Sequence, residues 1–264
     1  GCAEASRKAG AAWVHERDAG GHYRHMTTPP LLLGSMRFGD WGARLAPAEV
    51  ARLLACALDL GIDTLDLADI YGGHTTNALV GAAFAHDRSL RSRLHVLAKV
   101  GIVMPDSPGN RRGVQYYDSS PAHLDAALAG TLHSLGTDRV DVFVLHRPDP
   151  LMDPDAVCKW VRTEQARGRI GAFGLSNVDA PGLALFDGRL PVVANQIELS
   201  LAHSVALDDS TAAAASARGI ELQAWSPLGG GALLARRDDA LADALDAMAH
   251  ELSLDRAGLL LRWV

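Results

Sequence analysis

GIDTLDLADIYGG, residues 61–73, reads as a short buried strand that ends abruptly in polar chemistry. Ile62, Thr64 and Leu65 are the apolar and β-branched residues a strand uses, and Asp66 stands at the strand's end. Five residues on, where the backbone should turn toward a helix, comes Tyr71, followed by a Gly-Gly turn. A carboxylate and a phenol placed just past a strand belong at the mouth of a scaffold rather than in its core.

The same cadence extends to both sides. Residues 31–33 are a short apolar run ending at Gly34, and Pro47 opens a helix with Val50, Leu53, Leu54, Ala57 and Leu58 at helical spacing. Thr75-Thr76-Asn77 can cap a second helix running to about residue 85. Further strands are expected over 94–100, 140–145, 170–174, 192–197 and 220–225. Helices are expected over 121–135, from Pro154 to about 167, after Asp179, over 208–218, from Asp238 to about 252, and from Asp255. The loop over 101–120 carries Pro105, Pro108, Gly109 and Gly113; loops of that length in compact domains are usually functional or mobile.

Strand ends therefore fall near residues 34, 66, 99, 146, 176, 196 and 225. Strand-then-helix repetition predicts α/β architecture with a parallel sheet, and the near-continuous apolar strands suit burial on both faces. The expectation is a (β/α)8 TIM-type barrel truncated after its seventh βα unit, the native product continuing past residue 264 with an eighth strand and helix. Residues 1–25, polar and Gly/Ala/Arg-rich, are expected to be a non-native or disordered extension, and residues 26–264 the barrel.

The chain has 264 residues, 48% hydrophobic, enough for a sizeable core. A net charge of −6 without a basic block gives no sign of a nucleic-acid surface, and no apolar run reaches membrane-spanning length. Cys2, Cys56 and Cys158 lie far apart with no CxxC, so neither disulfide framework nor zinc site is indicated, and a cytoplasmic location fits. No His/Asp/Glu cluster suggests a metal.

Three other strand ends carry polar groups: Lys99 in LHVLAKVG, His146 in VDVFVLHRPDP, and Ser176-Asn177 in GAFGLSN. In a parallel barrel, residues at the C-terminal ends of different strands converge on one mouth. Singly, each has an ordinary explanation: Asp66 a turn residue, Lys99 a solvated lysine, His146 a satisfied core histidine, Tyr71 a packing residue. In this order, with D-x-A-x-x-Y intact, Asp66, Tyr71, Lys99 and His146 resemble the proton-delivery tetrad of the aldo-keto reductase superfamily. HRPDPLMD and AWSPLGGG point toward its bacterial, soluble, monomeric members.

The resemblance implies an NAD(P)H-dependent reductase of aldehydes and ketones with Tyr71 as general acid. Reduction of a carbonyl builds negative charge on oxygen, which a proton must meet. A tyrosine of reference pKa near 10 is a weak acid unaided. A lysine cation beside it is expected to lower that pKa, with Asp66 holding the ammonium and His146 donating to the carbonyl oxygen. By the same resemblance, Gly34, Ser35, Met36, Asp66, Ser176, Asn177, Gln196 and Trp225 contact the cofactor, with Ser226, Pro227, Leu228, Gly229 and Gly230 as the pyrophosphate loop. NADPH is the expected cofactor and NADH the alternative; the substrate is a small carbonyl compound. Met36, Trp41, the 101–120 loop and Trp225 would line the pocket, their character suiting an apolar carbonyl substrate, with rim packing the alternative reading of the Met and Trp residues. A cofactor-sensing regulatory subunit, or an inactive fragment, are the alternatives.

Overall fold

The computed structural model describes residues 31–237 and 239–264, so the expectation for residues 1–25 lies outside the described residues. The chain forms two compact units divided after Phe173.

In the first unit, β1 (Leu33–Gly34) leads to α1 (Pro47–Asp59), entered through Pro47, with the Glu49 carboxylate accepting from the Ala46 N–H at 2.8 Å. Then come β2 (Thr64–Ala68), the single turn α2 (Tyr71–His74), α3 (Thr76–His86) and the short α4 (Ser89–Arg93). β3 (His95–Val100) is followed by two-residue strands β4 (Ile102–Val103) and β5 (Tyr116–Tyr117), then α5 (Pro121–Leu135), β6 (Val140–Leu145) and α6 (Pro154–Ala166). β7 (Ile170–Ser176) begins in this unit and ends in the second. Helix starts follow the sequence where an oxygen-bearing side chain precedes proline: Ser120 accepts from the His123 N–H, and Asp153 from those of Asp155 and Ala156.

Strands β1, β2, β3 and β6 pair in parallel in that order. Val96, Leu97, Ala98 and Val100 are all buried, as are Phe143 and Val144 on the neighbouring strand, which is why these strands read as unbroken apolar runs. Helix α3 comes so close to α5 that a Cβ on Gly81 would stand 2.0 Å from the Ser134 carbonyl oxygen.

The second unit holds β8 (Ala194–Glu198) and β9 (Glu221–Trp225), with β8 parallel to both β7 and β9. Around them lie α7 (Ala180–Ala184), α8 (Val205–Asp208), α9 (Thr211–Ala217), α10 (Ala232–Ala235), α11 (Ala240–Glu251) and α12 (Arg256–Trp263). Asp179, Asp239 and Asp255 cap three of these helices by accepting from backbone N–H groups. Leu233, Leu245, Ala249, Leu259 and Leu260 form a local core.

Each unit's strands thus run parallel in chain order, β1-β2-β3-β6 in the first and β7-β8-β9 in the second, with helices between, the strand sequence of a (β/α)8 fold through seven strands. Three local expectations are corrected. The loop over 101–120 contains an antiparallel pair, Ile102 opposite Tyr117 and Val103 opposite Tyr116. The helix expected over 208–218 begins only at Thr211, because Ser210 adopts a left-handed φ of 71° and the Asp209 carboxylate accepts from the Thr211 N–H; Asp208 instead ends the separate turn α8. Thr75 does not cap α3 with its side chain; its hydroxyl turns back and donates to the Gly72 carbonyl at 2.7 Å.

Candidate active site

Sheet register explains why three polar residues meet in the first unit. Asp66 pairs with Leu97 and Ala68 with Lys99, so Asp66 and Lys99 lie on one face, one pleat apart. Lys99 pairs with Val144, and His146 stands two residues beyond Val144, on the same face again. The lysine stem reaches back along the sheet, and its Nζ sits 2.5 Å from each Asp66 carboxylate oxygen. The pair is enclosed, with Lys99 3% and Asp66 14% exposed. Just past β1, Ser35 fixes the Asp66 backbone: its N–H and its hydroxyl both donate to the Asp66 carbonyl, at 3.0 and 2.8 Å.

Tyr71 is delivered to this face by α2, where Gly72 and Gly73 take left-handed φ values of 61° and 63°. A side chain at Gly72 would put Cβ 2.7 and 2.8 Å from the Thr76 and Thr75 hydroxyl oxygens, so the turn requires glycine sterically as well as conformationally. The Lys99 ammonium lies 5.1 Å from the Tyr71 ring centroid. The His146 ring stands edge-on to Tyr71 at 6.0 Å between centroids, and Trp41 approaches from another side at 6.3 Å. Asp66, Tyr71, Lys99 and His146 are therefore brought together.

The electrostatics correct one expectation. Burial, the largest influence on Tyr71, pushes its pKa up from 10.0 and outweighs the lowering by Lys99; Asp66 adds to the rise. Tyr71 therefore holds its proton at neutral pH. For Lys99, burial is again the largest influence and acts downward, but the charges of Asp66 and Tyr71 and their hydrogen bonds reverse it, and the net direction is up. His146 is held well below 6.5 by burial first, then by the charges of Lys99 and Arg147. A neutral imidazole keeps one N–H to donate.

Of the other residues named from the sequence in this unit, Gly34 has open space above its backbone, and Met36 is 38% exposed. Ser35 is fully buried with its hydroxyl committed to Asp66, so it supports the site from beneath.

In the second unit, Ser176, Gln196 and Gln223 occupy matching positions on β7, β8 and β9 and so form a row on one face. Asn177, at a left-handed φ of 60°, donates from its side-chain amide to the Ser176 oxygen at 2.7 Å and accepts from the Trp225 indole N–H at 3.0 Å. Gln196 donates to Gln223 at 3.1 Å, and Gln223 to Glu221 at 2.9 Å. Beyond Trp225 the chain coils tightly: Ser226, Gly229, Gly230 and Gly231 all have positive φ, and a Cβ added at Gly230 or Gly231 would meet nothing within 4 Å. Pro227 lies in this coil, and Leu228 packs against the local core. An ordered amide row beside an aromatic, followed by open glycine backbone, fits a planar carboxamide and an anionic phosphate.

Sequence reasoning missed Asp69, His74, Ser107 and Gln223. The Asp69 Oδ1 is buried without a hydrogen-bond partner, and burial lifts its pKa to about 7. The register of Gln223 with Gln196 was the available signal for that residue. Nothing in the sequence pairs His74 with Ser107.

The Aldo/keto reductase family model matches residues 30–264. The chain belongs to the aldo/keto reductase family. This family member is 32% identical over 236 residues to the 6-dehydroglucose reductase of Agrobacterium fabrum, spanning 89% of this chain and 79% of that one. It is 34% identical over 227 residues to the oxidoreductase YdhF of Escherichia coli, covering 84% and 74%. Among solved structures, the glycerol dehydrogenase AKR11B4 of Gluconobacter oxydans shares the fold with a TM-score of 0.76 at 22% identity, over 89% and 78% of the two chains. This aldo/keto reductase is thus an oxidoreductase of its family by sequence and shares the family's fold.

Proposed function

We propose that the chain reduces aldehydes or ketones to alcohols with NADPH, NADH being the weaker alternative, and that Tyr71 is the general acid. The observation carrying this reading is the enclosed Asp66–Lys99 pair set beneath a tyrosine that burial keeps protonated. The nicotinamide, when bound, supplies a hydride to the carbonyl carbon. The chain's own residues manage the oxygen. His146, neutral, donates one N–H to the carbonyl oxygen and orients it. As charge develops there, the Tyr71 O–H transfers its proton, and the Lys99 ammonium offsets the charge left on the phenolate. Asp66 keeps Lys99 charged and in place, which an enclosed lysine alone would not manage.

Ser176, Asn177, Gln196 and Trp225 would hold the carboxamide end of the cofactor, and the coil over 226–230 its pyrophosphate. The 6-dehydroglucose reductase relative supports including sugar-like aldehydes among candidate substrates, beside the apolar carbonyls that Trp41 and Met36 favour. The test is NADPH oxidation against a panel of apolar and polyhydroxylated aldehydes and ketones, with a parallel fluorescence titration of NADPH. Turnover of at least one class supports the reading. Binding without turnover of any favours a cofactor-sensing subunit.

A further inference from the structure

His74 closes the turn that carries Tyr71, and it does so in an unfavourable conformation, a left-handed φ of 71° in a residue that has a Cβ. Two side-chain hydrogen bonds accompany that backbone. Nδ1 lies 3.0 Å from the Asp69 carbonyl oxygen, which can only accept, so Nδ1 bears the proton. That tautomer leaves Nε2 to accept from the Ser107 hydroxyl, 2.8 Å away. The Ser107 oxygen in turn accepts from the Met104 N–H at 2.8 Å.

The far end of this chain of donors is the loop after β4. Asn110 knits that loop internally, its side-chain amide donating to the Met104 carbonyl at 2.7 Å and the Val114 carbonyl at 2.9 Å. Met104 packs on the cluster of Ala68, Ile70, Tyr71 and Ile102. The loop thus rests, through Met104, on the cluster that includes Tyr71, and His74 bonds both to the loop and to Asp69 just before the turn.

We propose that His74 is a positioning residue that hooks the 104–114 loop, through Ser107, onto the turn bearing Tyr71, and so sets affinity for the carbonyl substrate. The inference rests on the reductase reading for its effect on substrate and on hydrogen bonding alone for its effect on the loop. The strain at His74 then has a use: φ > 0 directs the ring back over Asp69 and out to Ser107.

The test uses His74→Asn, Ser107→Ala and the double variant. Asparagine tolerates left-handed φ and can still donate to the Asp69 carbonyl, but it is too short for Ser107, so the turn survives while the hook is cut. Ser107→Ala cuts the same hook from the loop side but also removes the acceptor of the Met104 N–H, so in this variant exchange is compared at the loop amides other than Met104. A hydrogen bond of ordinary net strength predicts two- to tenfold faster amide exchange across 104–114 in each single variant, with KM for the carbonyl substrate raised by about the same factor and kcat within about twofold. The double variant should lose no more than the worse single one. Unchanged exchange in either single variant, or additive losses in the double, would overturn the proposal. Should no carbonyl compound be turned over by the parent, the reductase reading fails while the exchange data still decide whether the hook exists.

Discussion

Replacing Asp66 by asparagine keeps the shape of the enclosed pair and removes its negative charge. Lys99 is then a 3%-exposed ammonium whose two 2.5 Å partners have become a neutral amide. Breaking a buried pair by neutralising one member typically costs about 3–5 kcal/mol, and enclosure here places the pair in that class rather than among surface ion pairs. The pH dependence supplies a sharper signature. In the parent, Lys99 titrates above 10.5, so its contribution is fully present below the unfolded value and is lost only as pH rises through the folded one. In Asp66→Asn the main raising influence is gone and burial dominates, so the folded pKa drops below the unfolded value. The unfolded chain then binds more protons, and stability should rise with pH across the alkaline range. Urea unfolding at pH 7, 8, 9 and 10 reads both effects: a deficit of about 3–5 kcal/mol at pH 7 that shrinks toward pH 10. A deficit under about 1 kcal/mol, or one independent of pH, would mean the pair is solvated and the reasoning wrong. The double replacement Asp66→Leu/Lys99→Met, which leaves no charge buried, should recover most of the loss while remaining inactive.

Other consequences follow from the same geometry. Gly72→Ala forces a Cβ against two threonine hydroxyls and a side chain into left-handed backbone; a loss of about 1–3 kcal/mol by thermal or urea unfolding is expected, with reduced turnover. Asp69, lifted to about 7 from 3.8, binds a proton in the fold that it lacks when unfolded. Its contribution therefore falls as pH rises from about 4 to 7, and Asp69→Asn should flatten that part of the stability profile and stabilise the protein at pH 8. Asn177→Ala removes the amide linking Ser176 to Trp225; NADPH affinity by fluorescence titration should weaken about tenfold, with kcat less affected.

Much of this molecule is legible in its sequence because parallel strands buried on both faces leave unmistakable apolar runs. The runs ending at Lys99 and His146 are strands β3 and β6, and the polar residue at each end faces the site by register alone. Caps were equally readable at Ser120, Asp153 and Asp179, where an oxygen-bearing side chain precedes or adjoins the helix start. The start at Thr211 was not, since Asp208, Asp209 and Ser210 can each cap a helix and the alanines after them suit a helix begun at any of the three. The two-residue strands β4 and β5 are too short to show alternation. The direction of the Tyr71 shift was also beyond sequence: a lysine neighbour could be inferred, but how deeply both groups are enclosed, which decides the sign, could not. The His74–Ser107 contact joins residues 33 apart and has no motif.

Proton delivery by the Tyr71 hydroxyl underlies every step proposed above. Single-turnover oxidation of bound NADPH by an aldehyde, at pH 7, compared between the parent and Tyr71→Phe, tests it most directly. The chemical step should be slower by about a hundred- to ten-thousandfold in Tyr71→Phe, with NADPH affinity unchanged within about twofold; equal single-turnover rates in the two proteins would rule Tyr71 out as the acid.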